Sequence, residues 1–187
     1  MATIPLYIQQ VIENSPATGD VAARVEHVYD RFRTARMNAI YYGRQLTFYR
    51  RTSICFDAII AVSGPSAAGA WAIWKEEPWS YLYAVLGSIA VVLSVLKPIF
   101  GFQRSIERYS KLWARYTDIT CQLESLVAEI KTRQGWTDEF NKVVEDCARR
   151  MRELSGDDDS SCNTKALERI KKEVEDEIPA DSFWMPS

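Results

Sequence analysis

Two groups of arginine and aromatic side chains are the residues of this chain best suited to chemistry. The first comprises Arg36, Tyr41, Tyr42, Arg44, Tyr49, Arg50 and Arg51, and the second Arg104, Arg108, Tyr109, Lys111, Trp113 and Arg115. Guanidinium forks pair bidentately with phosphate oxygens and tyrosine rings stack on nucleobases, so Arg44, Arg50, Arg104, Arg108 and Tyr109 are candidates to hold an anionic nucleotide. The alternative is plainer: the cations mark the inner side of a membrane and the rings pack between helices.

Other chemistry is missing. There is no Gly-rich phosphate loop, no GxSxG elbow and no metal-ligand motif, and the single histidine, His27, has no nucleophile paired with it, so neither an enzyme nor a cofactor is expected. His27 is expected to face solvent or a partner helix. The 4 cysteines lie far apart without a C-x-x-C pair and read as reduced thiols rather than a zinc site or a disulfide framework. Asp157, Asp158 and Asp159 lack the alternating ligand spacing of a calcium loop and read as a solvated turn. A net charge of -2 argues against a nucleic-acid polymer as partner. Residues 1–19 have neither a basic start nor a long apolar run, so they read as an N-terminal segment and not a signal peptide.

The arginine groups flank the most apolar part of the chain. Residues 52–74 carry one charge, Asp57, and residues 79–97 carry none before Lys97. Both reach the roughly 20 helical residues that a hydrocarbon core requires. The pattern predicts two transmembrane helices joined by an external turn at 75–78, with Trp71, Trp74, Trp79, Tyr81 and Tyr83 at the level of the headgroups. Basic residues precede the first span and follow the second, whereas the turn holds Lys75 against Glu76 and Glu77. The positive-inside rule then puts both termini in the cytoplasm.

Small residues mark one face of each span: Asp57, Ala61, Gly64 and Ala68 on the first, and Ser80, Gly87 and Ser94 on the second. In lipid such faces let backbones approach closely. They are either the packing surface of the two spans within one chain, or a surface that meets neighbouring subunits or lines a wet path. Asp57 is either paired with Arg50 or Arg51 of its own helix or turned toward a protein interior or water. Pro65, after Gly64, predicts a bend in the first span.

Apolar positions step by three and four through Val21, Val25, Val28, Phe32, Ala35, Ala39, Tyr42, Leu46 and Tyr49, and again through Tyr109, Leu112, Tyr116, Ile119, Leu123, Leu126 and Ile130. This is the seam of an antiparallel coiled coil. It predicts a cytoplasmic helix at 20–51 and a second at 98–134, which continue the hairpin beyond the membrane. Gly135 is expected to end the second arm, and Thr137 to cap a following helix. The region 135–187 holds that helix, a second charged one from Thr164, and a tail in which Phe183, Trp184 and Met185 are suited to dock on this or a neighbouring subunit.

The arginine- and tyrosine-rich segment RQLTFYRR, leading into two close spans and out through FQRSIERYSKLWARYTDITCQLESLVAEI, resembles the SLATT family over about residues 20–131. That family consists of two-transmembrane effector domains of nucleotide-sensing bacterial conflict systems. The resemblance implies a homo-oligomer in the bacterial inner membrane that permeabilises the bilayer during anti-phage defence, under control of a cyclic nucleotide ligand. The alternative from the residues alone is a membrane-anchored coiled-coil scaffold that recruits a cytosolic partner and conducts nothing.

Overall fold

Apolar residues recurring every three or four positions, with no proline from residue 21 to residue 64, favour unbroken helix. The computed structural model describes residues 21–73, 80–99, 101–157, 164–179 and 184, and within these the side chains of 62–73, 80–84, 86, 87, 90, 98 and 99 fall outside the description. Among the described residues there are five helices and no strand: α1 (Val21–Ile73), α2 (Ser80–Ile99), α3 (Phe102–Arg133), α4 (Asp138–Ser155) and α5 (Thr164–Glu177). The protein is all-α, as the periodicity predicts. The backbone stays helical through Gly64 and Pro65, and Pro98 lies inside α2.

The helix ends are set by glycine and, less expectedly, glutamine. Gly101 takes φ +58 between α2 and α3, a left-handed conformation that glycine adopts without penalty. The break therefore falls beyond Pro98. At the end of α3 the left-handed residue is Gln134, with φ 46, and Gly135 follows it. Thr137 occupies the N-cap of α4 in extended backbone, yet its hydroxyl makes no capping bond and is buried without a partner. The backbone N–H of Phe140 instead donates to the Thr137 carbonyl at 3.1 Å. Asp138 and Glu139 supply negative charge to this helix start.

The chain divides into two compact units, residues 1–43 with 111–187 and residues 44–110. The first has a dense core. Val25, Val28, Phe32, Ala35, Ala39 and Tyr42 of α1 are buried, as are Leu112, Tyr116, Ile119, Leu123, Leu126 and Ile130 of α3. Tyr42 stacks on Tyr116 with ring centres 5.5 Å apart. Helices α4 and α5 add Phe140, Val144, Cys147, Leu154, Ile170 and Val174 to the same interior. The expected two-helix seam is thus one face of a bundle, because Tyr29, Met37 and Tyr41 are buried on other sides of α1.

Polar contacts tie the later helices to the seam. Arg33 donates twice to the Ile178 carbonyl, at 3.0 and 2.5 Å, and so satisfies a carbonyl left open at the end of α5. Arg36 pairs with Glu177 at 2.8 Å. Arg150 of α4 pairs with Asp118 and donates to Gln122 at 3.0 Å, both on α3.

The second unit is built differently. Among its described residues only Leu46 and Tyr109 are buried apolar side chains. Tyr49 stacks on Tyr109 at 5.2 Å, and Phe56 lies 5.2 Å from Phe102. Outward, Val85, Ile89 and Val92 form a stripe on α2 and are 56%, 43% and 55% exposed. Val91, Val95, Ile54 and Ile59 are exposed as well.

Among the described residues no helix is long and apolar enough to cross a membrane. The expected spans 52–74 and 79–97 pass through the side chains of 62–84. Those of Trp71, Tyr81 and Tyr83 lie outside the described residues, as do Trp74, Trp79 and the expected turn at 75–78.

Candidate functional site

The arginine and aromatic layer of the second unit lies on the parts of α1 and α3 nearest the apolar segments. Arg44, Arg50, Arg104 and Arg108 are all exposed, as guanidinium groups that must stay hydrated require. Tyr109 is not offered to a ligand in the same way. It is 6% exposed and stacked against Tyr49, whose ring also approaches Phe102 at 6.5 Å. Of the five candidates for nucleotide binding, four are surface cations and one is a packing residue. The rings hold α1 against α3.

Asp57 is partnered by a residue that its own helix does not supply. Its carboxylate forms an ion pair with the ammonium of Lys97 on α2, and not with Arg50 or Arg51. A carboxylate at this depth of an apolar segment is best neutralised by a cation of the facing helix, because a lysine stem reaches across while its head stays polar. Both groups are partly exposed.

Of the remaining small-face residues, Ala61 and Ser94 are exposed, and the Ser94 hydroxyl donates to the Val91 carbonyl at 2.8 Å. That bond satisfies the hydroxyl within its own helix. Gly64 lies in α1 and Gly87 in α2, while the side chains of Ala68 and Ser80 lie outside the described residues. In the tail, Trp184 is half-buried and its backbone hydrogen-bonds Tyr29 of α1. Phe183 and Met185 lie outside the described residues.

His27 faces neither bulk solvent nor a facing helix alone. Its Nε2 accepts a hydrogen bond of 2.7 Å from Arg31 Nε, one helical turn along α1. Accepting that bond requires the neutral imidazole. Burial, and next the Arg31 charge, hold the His27 pKa below its ordinary value. This pair was legible only as an i, i+4 spacing among many charges on α1, and nothing in the sequence marks it as buried.

A folded-state histidine pKa that is depressed favours the folded protein above the ordinary value of 6.5 and disfavours it as pH falls below that value. The first unit is therefore expected to lose stability between pH 7.5 and pH 5.5. His27→Gln, which keeps an acceptor for Arg31 and cannot be protonated, is expected to flatten that slope. Thermal unfolding across this range checks it, and an equal slope in both proteins would exclude His27.

Three arginines of the first unit behave unequally. Arg149 is exposed and pairs with Asp146 and Glu153, which stabilises its charged form, and Arg150 is likewise stabilised by Asp118. Arg31 is pushed the other way by burial and then by the charge of Arg152. The Cys147 thiol is buried and its pKa raised, chiefly by desolvation, so it is an unreactive core group whose S–H lies 3.6 Å from Gln122 Oε1. Among the described residues no cluster of metal-ligating side chains occurs. No protein-family model, no curated protein and no solved structure matches this chain.

Proposed function

We propose that this chain is a two-span membrane effector of the SLATT type, a homo-oligomer that permeabilises the bacterial inner membrane when a nucleotide second messenger signals infection, without enzymatic chemistry. The observation that carries the membrane half of this reading is the contrast between the units. One buries most of its large apolar residues, with Val21, Trp113 and Val143 about two-fifths exposed, whereas the other turns Val85, Ile89, Val92, Ile54 and their neighbours outward. Exposed apolar side chains in this number are unfavourable in water and favourable against lipid or another copy of the chain.

Exposed arginines on both sequence flanks of that surface fit the headgroup region of a cytoplasmic leaflet. In this reading the second unit is the membrane hairpin, both termini are cytoplasmic, and the first unit is the cytoplasmic bundle that receives the signal. Oligomerisation would bring the small-residue faces together and form the conducting path.

The Asp57–Lys97 pair favours a second reading. A carboxylate already neutralised within its own hairpin attracts no cations to a pore mouth, which suits a membrane-anchored scaffold that recruits a cytosolic partner.

Induced expression in bacteria carrying a potential-sensitive dye separates the two. The effector reading expects membrane potential and viability to collapse together after induction. A full-length, membrane-bound chain that leaves the potential unchanged would reject it in favour of the scaffold.

A further inference from the structure

We propose that Arg50, Arg51 and Arg104 form a docking surface for the headgroup phosphates of anionic phospholipids, and that the arginine layer of the second unit serves this purpose rather than holding a soluble nucleotide. Ring contacts bring these arginines to one level of the unit. Tyr49 stacks on Tyr109 at 5.2 Å and its ring approaches Phe102 at 6.5 Å, so the turn of α1 that carries Arg50 and Arg51 lies against the turns of α3 that carry Arg104. All three arginines are exposed, and none makes a hydrogen bond or ion pair with a described residue.

The acids of the unit do not neutralise them. Apart from residues 75–77, the second unit holds six cations and two acids, and one of those acids, Asp57, is paired with Lys97. The same stretch of α1 turns apolar groups outward. Phe48 is 62% exposed, and Ile54, which shares a helix face with Arg50 at i, i+4, is 66% exposed. The Asp57–Lys97 pair lies about two turns along α1 from Arg50. Only residues 74–79 separate α1 from α2, so α2 returns along α1 and its outward Val92, Ile89 and Val85 lie beyond that pair, on the side away from the arginines.

Unpaired guanidinium forks on one level, with outward apolar side chains beside and beyond them, match a ligand that joins a phosphate to acyl chains. A nucleotide would meet the forks and leave Phe48 and Ile54 in water, whereas a phospholipid covers both. The excess of positive charge selects the anionic lipids of a leaflet over zwitterionic ones. This names the lipid partner of the membrane hairpin proposed above and rests on that reading.

The test titrates the full chain, delipidated in detergent, with phosphatidylglycerol or phosphatidylcholine of the same acyl chains and counts retained lipids by native mass spectrometry. Phosphatidylglycerol is expected to be retained about tenfold more strongly than phosphatidylcholine. Arg50→Gln, Arg51→Gln and Arg104→Gln together are expected to erase that preference while leaving phosphatidylcholine retention and thermal unfolding unchanged. Lys165→Gln, Arg169→Gln and Lys172→Gln remove the same charge from exposed positions of α5 in the first unit and are expected to preserve the preference.

Equal retention of the two lipids by the wild-type chain would overturn the proposal, as would a preference that survives the arginine variant. An equal loss in the α5 variant would overturn it too, because net charge alone would then be at work. Displacement of phosphatidylglycerol by pyrophosphate beyond that by potassium chloride at matched ionic strength would assign the arginines to a soluble anion instead. A wild-type chain that withstands an alkaline wash of membranes yet shows no lipid preference would reject this surface and leave the hairpin standing, whereas release by the wash would reject the hairpin and this surface with it.

Discussion

Leu123→Ala is expected to speed chemical modification of Cys147 by about thirty-fold or more, with little change at Cys121. Leu123 is fully buried in α3 and faces a core shared by four helices. Truncating a buried leucine removes its transfer free energy and leaves a cavity, at a cost of about 2–5 kcal/mol. Cys147 of α4 is buried in the same interior and its raised pKa keeps it unreactive while the unit is closed. Its modification therefore requires opening, and the opening population rises tenfold for about each 1.4 kcal/mol lost.

Cys121 is exposed on the outer side of α3 and reports the intrinsic reactivity of the reagent. Val143→Ala, at a half-exposed position on α4, provides the control for truncation without a cavity and is expected to change the Cys147 rate by less than about threefold. A Cys147 rate unaffected by Leu123→Ala would mean that α3 and α4 do not share one cooperative core.

The part of the fold that the sequence made legible is the part governed by a single periodic face. Every position of the seam from Tyr109 to Ile130 is buried, because α3 presents one apolar stripe and a polar remainder. The helix α1 was harder to read. Its stripe is buried over Val25 to Leu46, but Tyr29, Met37 and Tyr41 are buried too. Periodicity identifies one contact face, and a helix surrounded by several neighbours has more than one.

Cap chemistry was legible in kind and wrong in detail. Gly135 follows the left-handed residue, Gln134, rather than being it. Thr137 sits where a cap belongs, yet its hydroxyl is turned into the interior.

The candidate site was legible as a composition and not as a set of contacts. Four arginines on the second unit are surface groups, but the aromatic partner expected among them, Tyr109, is consumed by stacking on Tyr49. The partner of Asp57 lies forty positions along the chain, on another helix, where local spacing carries no signal. Arg31 is buried, and no spacing within α1 distinguishes it from the exposed cations of the same helix.

The central claim, that the second unit is a membrane hairpin, is tested most directly by retention of the full chain in membranes through an alkaline wash. The comparison is with a variant carrying Ile89→Asp and Val92→Asp. Both positions lie on the exposed stripe of α2, inside the longest uncharged run of the sequence. Aspartate near the centre of a spanning helix costs about 2.5–3.5 kcal/mol for insertion, so the two together disfavour it by roughly 5 kcal/mol or more, a factor of several thousand. The same substitutions at positions facing water would be nearly neutral and would raise solubility. The wild-type chain is expected to stay in the membrane pellet and the double variant to leave it. Release of the wild-type chain by the wash, or retention of the variant equal to that of the wild type, would contradict the membrane reading.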